Sequence, residues 1–392
     1  MFWTVVLYVL FASLVILSCV YRNSRPLSIA IILFMWITYG WSSGNADFGV
    51  YSEAYYGVDN GGLNIGFRFL YAIFSGMGAS YRVFLIVFSL VFLAILYFAV
   101  DRMTDNVAFV LGMYLFFPYA LDVVQIKNFA VVVFLSLATS FLVGKKNEKR
   151  ERPVDRILPV SLFALSILLA TFLHYSAVIY FILLIPFLFG KKTTGIVTGV
   201  LFIGLLVLKN TNLLTTLGSL ILPDSWVSSR MHQGTDVGAG ATFERLTRVV
   251  FIASVAIYTY VVAFFCRKTD AGDAQGSGTE YRLPDDPKTD LSGAKLAFID
   301  FVGKANVLLL ICFPLMFYSQ ELYRIQQNFL IVNLAAVSFI LEKKTNAPKY
   351  HKILLFSVTF LVSLFLLHKL ILGGNTLTVF RPFFENNVLF GG

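Results

Sequence analysis

The stretch "GGLNIGFRFLYAIFSGMG", residues 61–78, decides how the rest of the chain is threaded. It is apolar enough to pass for a membrane span, yet Gly61, Gly62, Gly76 and Gly78 bracket it. If it crossed, every later loop would change sides and the six basic residues between 145 and 156 would face outward. That would invert the usual excess of Lys and Arg on the cytoplasmic side. The segment is therefore predicted to be a re-entrant or interfacial helix on the outer face.

Outward from that helix, apolar runs recur from one end of the chain to the other. Of its 392 residues 58% are hydrophobic and 14% charged, where soluble domains carry about 25% charged residues. Mean hydropathy is +0.77. Runs of this length read as helices whose backbone bonds close internally in hydrocarbon. The predicted class is an all-α polytopic integral membrane protein, a single bundle of about twelve transmembrane helices spanning residues 1–392. Candidate spans are 2–20, 27–41, 82–100, 107–121, 128–144, 157–173, 175–190, 194–208, 248–266, 297–317, 328–341 and 352–372.

The loops between these spans fall into two alternating groups. With "YRNSR", Arg102, "KKNEKRERPVDR", "GKK", 267–296, Lys304 and "EKKTNAPKYHK" inside, 21 of the 31 basic residues are cytoplasmic. Both termini then lie outside. An outer loop runs over 42–81 and carries the interfacial helix; a second outer loop covers 209–247. The stretch 267–296 mixes Gly, Asp, Ser and Pro and is predicted to be a flexible cytoplasmic loop.

The net charge of +9 is a topology signal in this arrangement, and no nucleic-acid partner is expected. Cys19, Cys266 and Cys312 stand apart without metal-ligand spacing, so neither a disulfide framework nor a zinc site is expected. The first apolar segment lacks a basic n-region and a small-residue cleavage site, and is expected to be a retained span.

With this topology the functional polar residues gather on the outer side. The outer loop "NADFGVYSEAYYG", 45–57, supplies Asp47, Tyr51 and Tyr55. Arg68 and Arg82 follow, then "DVVQIKN" with Asp122, Gln125 and Lys127, and "ATFLHYSAV" with His174. Glu244, Arg245 and Arg248, and finally Glu321 and Arg324, complete the set. Asp122 with Gln125, Arg245 with Arg248, and Glu321 with Arg324 are spaced to share one helix face. Ionisable residues at span ends usually face a bundle interior or a wet cavity. A solvated loop with an interfacial aromatic belt accounts equally for Asp47 and its tyrosines. Arg68 and Arg82 fit snorkelling anchors as well as ligand contacts.

Several arginines and a lysine suit a substrate that carries phosphate. Tyr51 and Tyr55 suit sugar faces. Asp47, Asp122 or His174 is placed to take a proton from an acceptor hydroxyl, imidazole titrating near neutrality. A lipid-linked pyrophosphoryl sugar has all the required parts. The acidic pair in "PDD", 284–286, falls on the cytoplasmic side, so neither a metal nor another cofactor is expected.

The ordered patches resemble the EpsG-type branch of Wzy-like bacterial polysaccharide polymerases. "NADFGVYSEAYYG" is similar to that family's Asp-x3-Tyr outer loop. "NIGFRFLYAIFSGMGASYRVFLIVFS" is similar to its next helix, with Asn64 where many members have Glu. "LDVVQIKNFAVVVFLSLA" resembles its Gln-Ile-Arg-Gln patch, with Lys127 and Asn128 at the third and fourth positions. "ATFLHYSAVIYFILLIPF" and "YRIQQNFLIVN" resemble its His-Tyr-Ser and late Tyr-Arg segments.

The resemblance implies a metal-independent glycosyltransferase that joins undecaprenyl-pyrophosphate-linked repeat units on the outer face of the bacterial cytoplasmic membrane. It implies roles for Asp47, Tyr51, Arg68, Gln125, Lys127, His174 and Arg324. Expected partners are the lipid-linked oligosaccharide, membrane lipids, and a flippase and chain-length regulator of the same pathway. A flippase or transporter for such lipids, and a glycan ligase, are the alternative readings.

Overall fold

The computed structural model describes residues 2–57, 63–143, 157–208, 293–316, 322, 324–342, 349–372 and 375–390. These form helices: α1 Phe2–Val20, α2 Arg25–Gly40, α3 Phe48–Tyr55, α4 Ile65–Gly76, α5 Tyr81–Met103, α6 Val107–Phe116, α7 Tyr119–Val124, α8 Ile126–Val143 and α9 Ile157–Leu173. A 3-10 segment, Tyr175–Leu183, leads into α10 Leu184–Leu188, then α11 Lys191–Leu208. After the gap come α12 Gly293–Leu309, α13 Cys312–Leu315, α14 Arg324–Asn328, α15 Leu330–Ile340, α16 Lys349–Leu367 and α17 Arg381–Glu385. Among the described residues the only β pairing is one isolated bridge between Ser42 and Asn387.

Among the described residues, five helical stretches are long and apolar enough to cross a bilayer: 2–20, 81–103, 191–208, 295–315 and 349–372. Shorter apolar helices cover six more of the expected spans, so eleven of the twelve coincide with helix. The remaining one, 248–266, lies outside the described residues, as does the loop 209–247. The expected loop 267–296 gives way to helix at its end, since α12 begins at Gly293. Apolar side chains such as Ile196, Val200, Ile203 and Val207 on α11 are exposed, as a lipid-facing surface requires.

Hydrogen bonds sort the helix ends into two groups. At one end Arg22, after α1, donates to Cys19 O and Leu341 O, and accepts from Phe109 N of α6. Thr104 and Ser338 share a hydrogen bond of 2.7 Å, and Lys295 pairs with Glu342. Basic side chains mark this as the basic end. At the opposite, loop end, Arg82 Nη1 donates to Gly40 O at 3.1 Å and to Ser42 O. The guanidinium also lies 5.4 Å from the Phe48 ring centre. Arg82 is thus a clamp on the end of α2.

That clamp answers the threading question. Because α2 ends where α5 begins, the chain between them returns to the end from which it left. The helix within it, α4, has 12 residues, about 18 Å at 1.5 Å per residue, against roughly 30 Å of hydrocarbon. One side of α4 buries Gly66, Phe67 and Tyr71, while Ile65, Arg68 and Phe69 are exposed. It packs on α9 so closely that a Cβ at Gly66 would sit 2.6 Å from Phe172 O.

The polypeptide after α16 forms a hook that also belongs to the loop end. Asn386 O accepts from Ser43 N and Ser43 Oγ, Val388 N donates to Trp41 O, and Ala46 N donates to Thr378 O. Asn387 Nδ2 reaches Ile37 O at 3.0 Å. Gly44 takes a φ of +67°, open to glycine at little cost, and a side chain there would meet Asn386 Nδ2. Phe390 stacks on Trp3 and Phe384 on Tyr8. The start of α1 and the hook therefore meet at the loop end.

Candidate functional site at the loop end

The centre of the loop end is built where α6 turns into α8. A cis peptide bond precedes Pro118, and α7 makes the corner with Tyr119, Leu121, Asp122 and Val124 buried. Asp122 Oδ2 accepts from Tyr114 OH at 2.7 Å, and Oδ1 accepts from Asn128 Nδ2 at 3.1 Å. Asn128 also exchanges amide hydrogen bonds with Asn328 of α14, at 3.0 and 2.9 Å. Tyr180 OH donates to Ile325 O at 3.0 Å, which ties the 3-10 segment to the same short helix. A side-chain network thus joins α6, α7, α8 and α14, with the segment that begins just after His174 attached to it.

Asp122 lies in the connection between the spans and is fully buried. Burial pushes its carboxyl up to about 7, against the opposing Tyr114 and Asn128 hydrogen bonds and the positive charge of Arg324. With both oxygens engaged, Asp122 suits a positioning group better than an exposed base.

The second part of the site is the wall made by α3. Lys127 Nζ, at the start of α8, lies 5.7 Å from the centre of the Tyr51 ring, a cation–π contact. Tyr51 lines a small hollow with Tyr39, Ser42, Asn45, Phe48 and Ile126, with room for about one water. Asp47 opens the turn into α3, where its carbonyl accepts from Tyr51 N. The hook holds Trp41, Ser43 and Ala46, immediately before that turn.

The expected residues therefore separate. Asp47, Tyr51, Asp122, Gln125, Lys127, His174 and Arg324 share the loop end. Tyr55, expected at the sugar, is 4% exposed, donates to Ala79 O at 2.6 Å, and sits among Tyr56, Tyr71 and Tyr81. It is a wall residue. Arg68 is carried on the exposed side of α4, whereas Asp122 and Asn128 of the network are buried. Glu244, Arg245, Arg248 and Glu321 lie outside the described residues. Among the described residues, no three His, Cys, Asp or Glu side chains gather as metal ligands.

Sequence reading alone did not single out Tyr114, Tyr180, Asn328, Gln326 and Gln327, all buried at this end. The signal available was chemical. "VVQIKN" and "RIQQN" insert amides into apolar surroundings, and buried amides need partners. Which partner each takes depends on packing across 200 residues.

The model of the EpsG family matches residues 26–380, nearly the whole chain. No curated protein and no solved structure matches.

Proposed function

Because this chain belongs to the EpsG family, we propose that it is a polysaccharide polymerase of the Wzy-like kind. It joins lipid-pyrophosphate-linked oligosaccharide repeat units at the loop end, which faces away from the cytoplasm. The basic end, with Arg22, Lys295 and Lys352, lies inside by the positive-inside rule. Both termini lie outside.

The observation that carries the reading is the meeting of Lys127, Tyr51 and the Asp122–Asn128–Asn328 network at one end of a membrane bundle. In the transfer, the sugar–phosphate bond breaks and the pyrophosphate leaves with the electron pair. Lys127 and Arg324 supply fixed positive charge where that anion develops. Lys127 acts as a point charge, whereas the planar guanidinium of Arg324 is able to bind two phosphate oxygens. His174 or Asp47 takes the proton from the attacking hydroxyl of the acceptor sugar. Tyr51 offers a ring face to sugar, and Asp122 orients Asn128 and the α8–α14 junction. No step in this scheme calls on a metal.

The test is reconstitution with lipid-linked repeat units. A ladder of longer glycans is expected from the native chain, and loss of the ladder at unchanged membrane abundance from Arg324→Ala. Products capped at a single transfer would indicate a ligase. Leaflet exchange without glycan growth would indicate a flippase, and either result removes the polymerase reading.

A further inference from the structure

Several hydroxyl side chains in these helices satisfy themselves. Ser136, Ser166, Thr359 and Ser363 each donate to the carbonyl one turn back. Two pairs of buried asparagines satisfy each other: Asn306 with Asn333, and Asn128 with Asn328. Among the described residues, buried polar atoms without a hydrogen-bond partner include those of three glutamines, and all three lie within one helical turn of the Asn128–Asn328 pair. Gln326 is fully buried, and neither its Nε2 nor its Oε1 has a hydrogen-bond partner. The buried Oε1 atoms of Gln327 and Gln125 also lack one. A leucine or methionine would fill the same space with no such penalty. Retaining unsatisfied amides at one junction has a physical cost that a ligand would offset.

We propose that Gln125, Gln326 and Gln327 form a neutral sugar subsite at the α8–α14 junction, reading hydroxyl groups of a pyranose ring. A planar amide presents a donor and an acceptor side by side, which matches two neighbouring sugar hydroxyls, each able to give and take a hydrogen bond. The amides carry no positive charge to neutralise an anion, so the pyrophosphate is left to Lys127 and Arg324 on the same two helices. Gln326 is closed off in the unliganded chain. Binding therefore displaces α14, a helix of 5 residues that breaks at Phe329 before α15 begins. The inference rests on the polymerase reading for the position of the sugar, but not for its binding.

The experiment measures thermal unfolding of the purified full-length chain with and without a panel of methyl glycosides, and with inorganic pyrophosphate as the charged control. At least one glycoside is expected to raise the melting temperature of the native chain. In Gln326→Leu that shift is expected to vanish, with affinity lowered roughly tenfold or more, while the pyrophosphate shift persists. Without glycoside, Gln326→Leu is expected to melt at or above the native temperature, because the variant buries no unsatisfied amide. Gln327→Met provides the same comparison should Gln326→Leu fold poorly.

A lower melting temperature for both variants without glycoside would show that the amides are structural, and would overturn the subsite. So would a glycoside shift retained in the variants, or none in the native chain. A chain that makes no glycan ladder yet binds glycoside in a Gln326-dependent manner would remove the polymerase and keep the subsite. A ladder without such binding would do the reverse.

Discussion

The two ends of the bundle close their polar groups with different chemistry. At the basic end, cations meet carboxylates and carbonyls: Lys295 pairs with Glu342 at 2.7 Å, and Arg22 and Lys352 donate to Leu341 O and Glu342 O. At the loop end the central network is made of an acid, two amides and a tyrosine, with glutamine amides left over beside it. The first arrangement fastens helices through charge. The second fastens them and retains hydrogen-bonding groups that a polyhydroxylated substrate would satisfy. Substitutions at the two ends should therefore differ in kind as well as in size.

The largest effect is expected from Asn128→Leu. It leaves the Asn328 amide without its partner and Asp122 Oδ1 without its donor, both buried, at a cost of about 2–3 kcal/mol. Thermal unfolding in detergent should show the loss. Asn128→Leu combined with Asn328→Leu should cost less than the sum of the single changes, because the orphaned amide is removed with its partner. Strict additivity would mean that the two amides are not coupled.

A smaller, pH-dependent effect belongs to Asp122. Its folded pKa, about 7, lies above the ordinary carboxyl value of 3.8. Between those values the native state keeps a proton that the unfolded chain releases, so this group's contribution to stability falls as pH rises. It is fully present below the ordinary value and is lost once pH passes the folded one. The melting temperature of the native chain minus that of Asp122→Asn should therefore narrow from pH 5 to pH 8. A difference that widened over the same range would mean the carboxyl is held in its charged form instead.

Asn387→Ala removes the hook's side-chain bond to Ile37 O and the acceptor for Leu389 N, worth about 1 kcal/mol. The wall carrying Asp47 and Tyr51 should loosen, with faster amide hydrogen exchange in residues 41–47. Unchanged exchange there would separate the hook from the wall. Lys295→Ala should have the smallest effect. Its pair with Glu342 is partly exposed, with side chains 15% and 18% accessible, and such pairs contribute about 1 kcal/mol or less.

Much of this architecture was legible because it is local. Apolar runs mark the spans, and the basic residues of 145–156 forced the non-crossing reading of 61–78, which the Arg82 clamp on Gly40 O bears out. The placing of Asp47, Tyr51 and Lys127 at one shared end followed from the same alternation. What was illegible depends on contacts between distant segments. "NTLTVFRPFFENNVLF" carries no sign that it folds back onto residues 37–46, because those bonds are made mainly by backbone groups. Tyr55 reads like Tyr51 in sequence, and only packing sends one into an aromatic cluster and the other toward Lys127. The Asn128–Asn328 pair unites two patches whose relation no local spacing encodes.

The most direct measurement compares glycan synthesis by Lys127→Ala and Lys295→Ala, each reconstituted at equal abundance with lipid-linked repeat units. Loss of the glycan ladder in Lys127→Ala and a native ladder in Lys295→Ala are expected if the chemistry sits at the loop end. A native ladder from Lys127→Ala, with synthesis lost in Lys295→Ala, would place the reaction at the wrong end of the bundle.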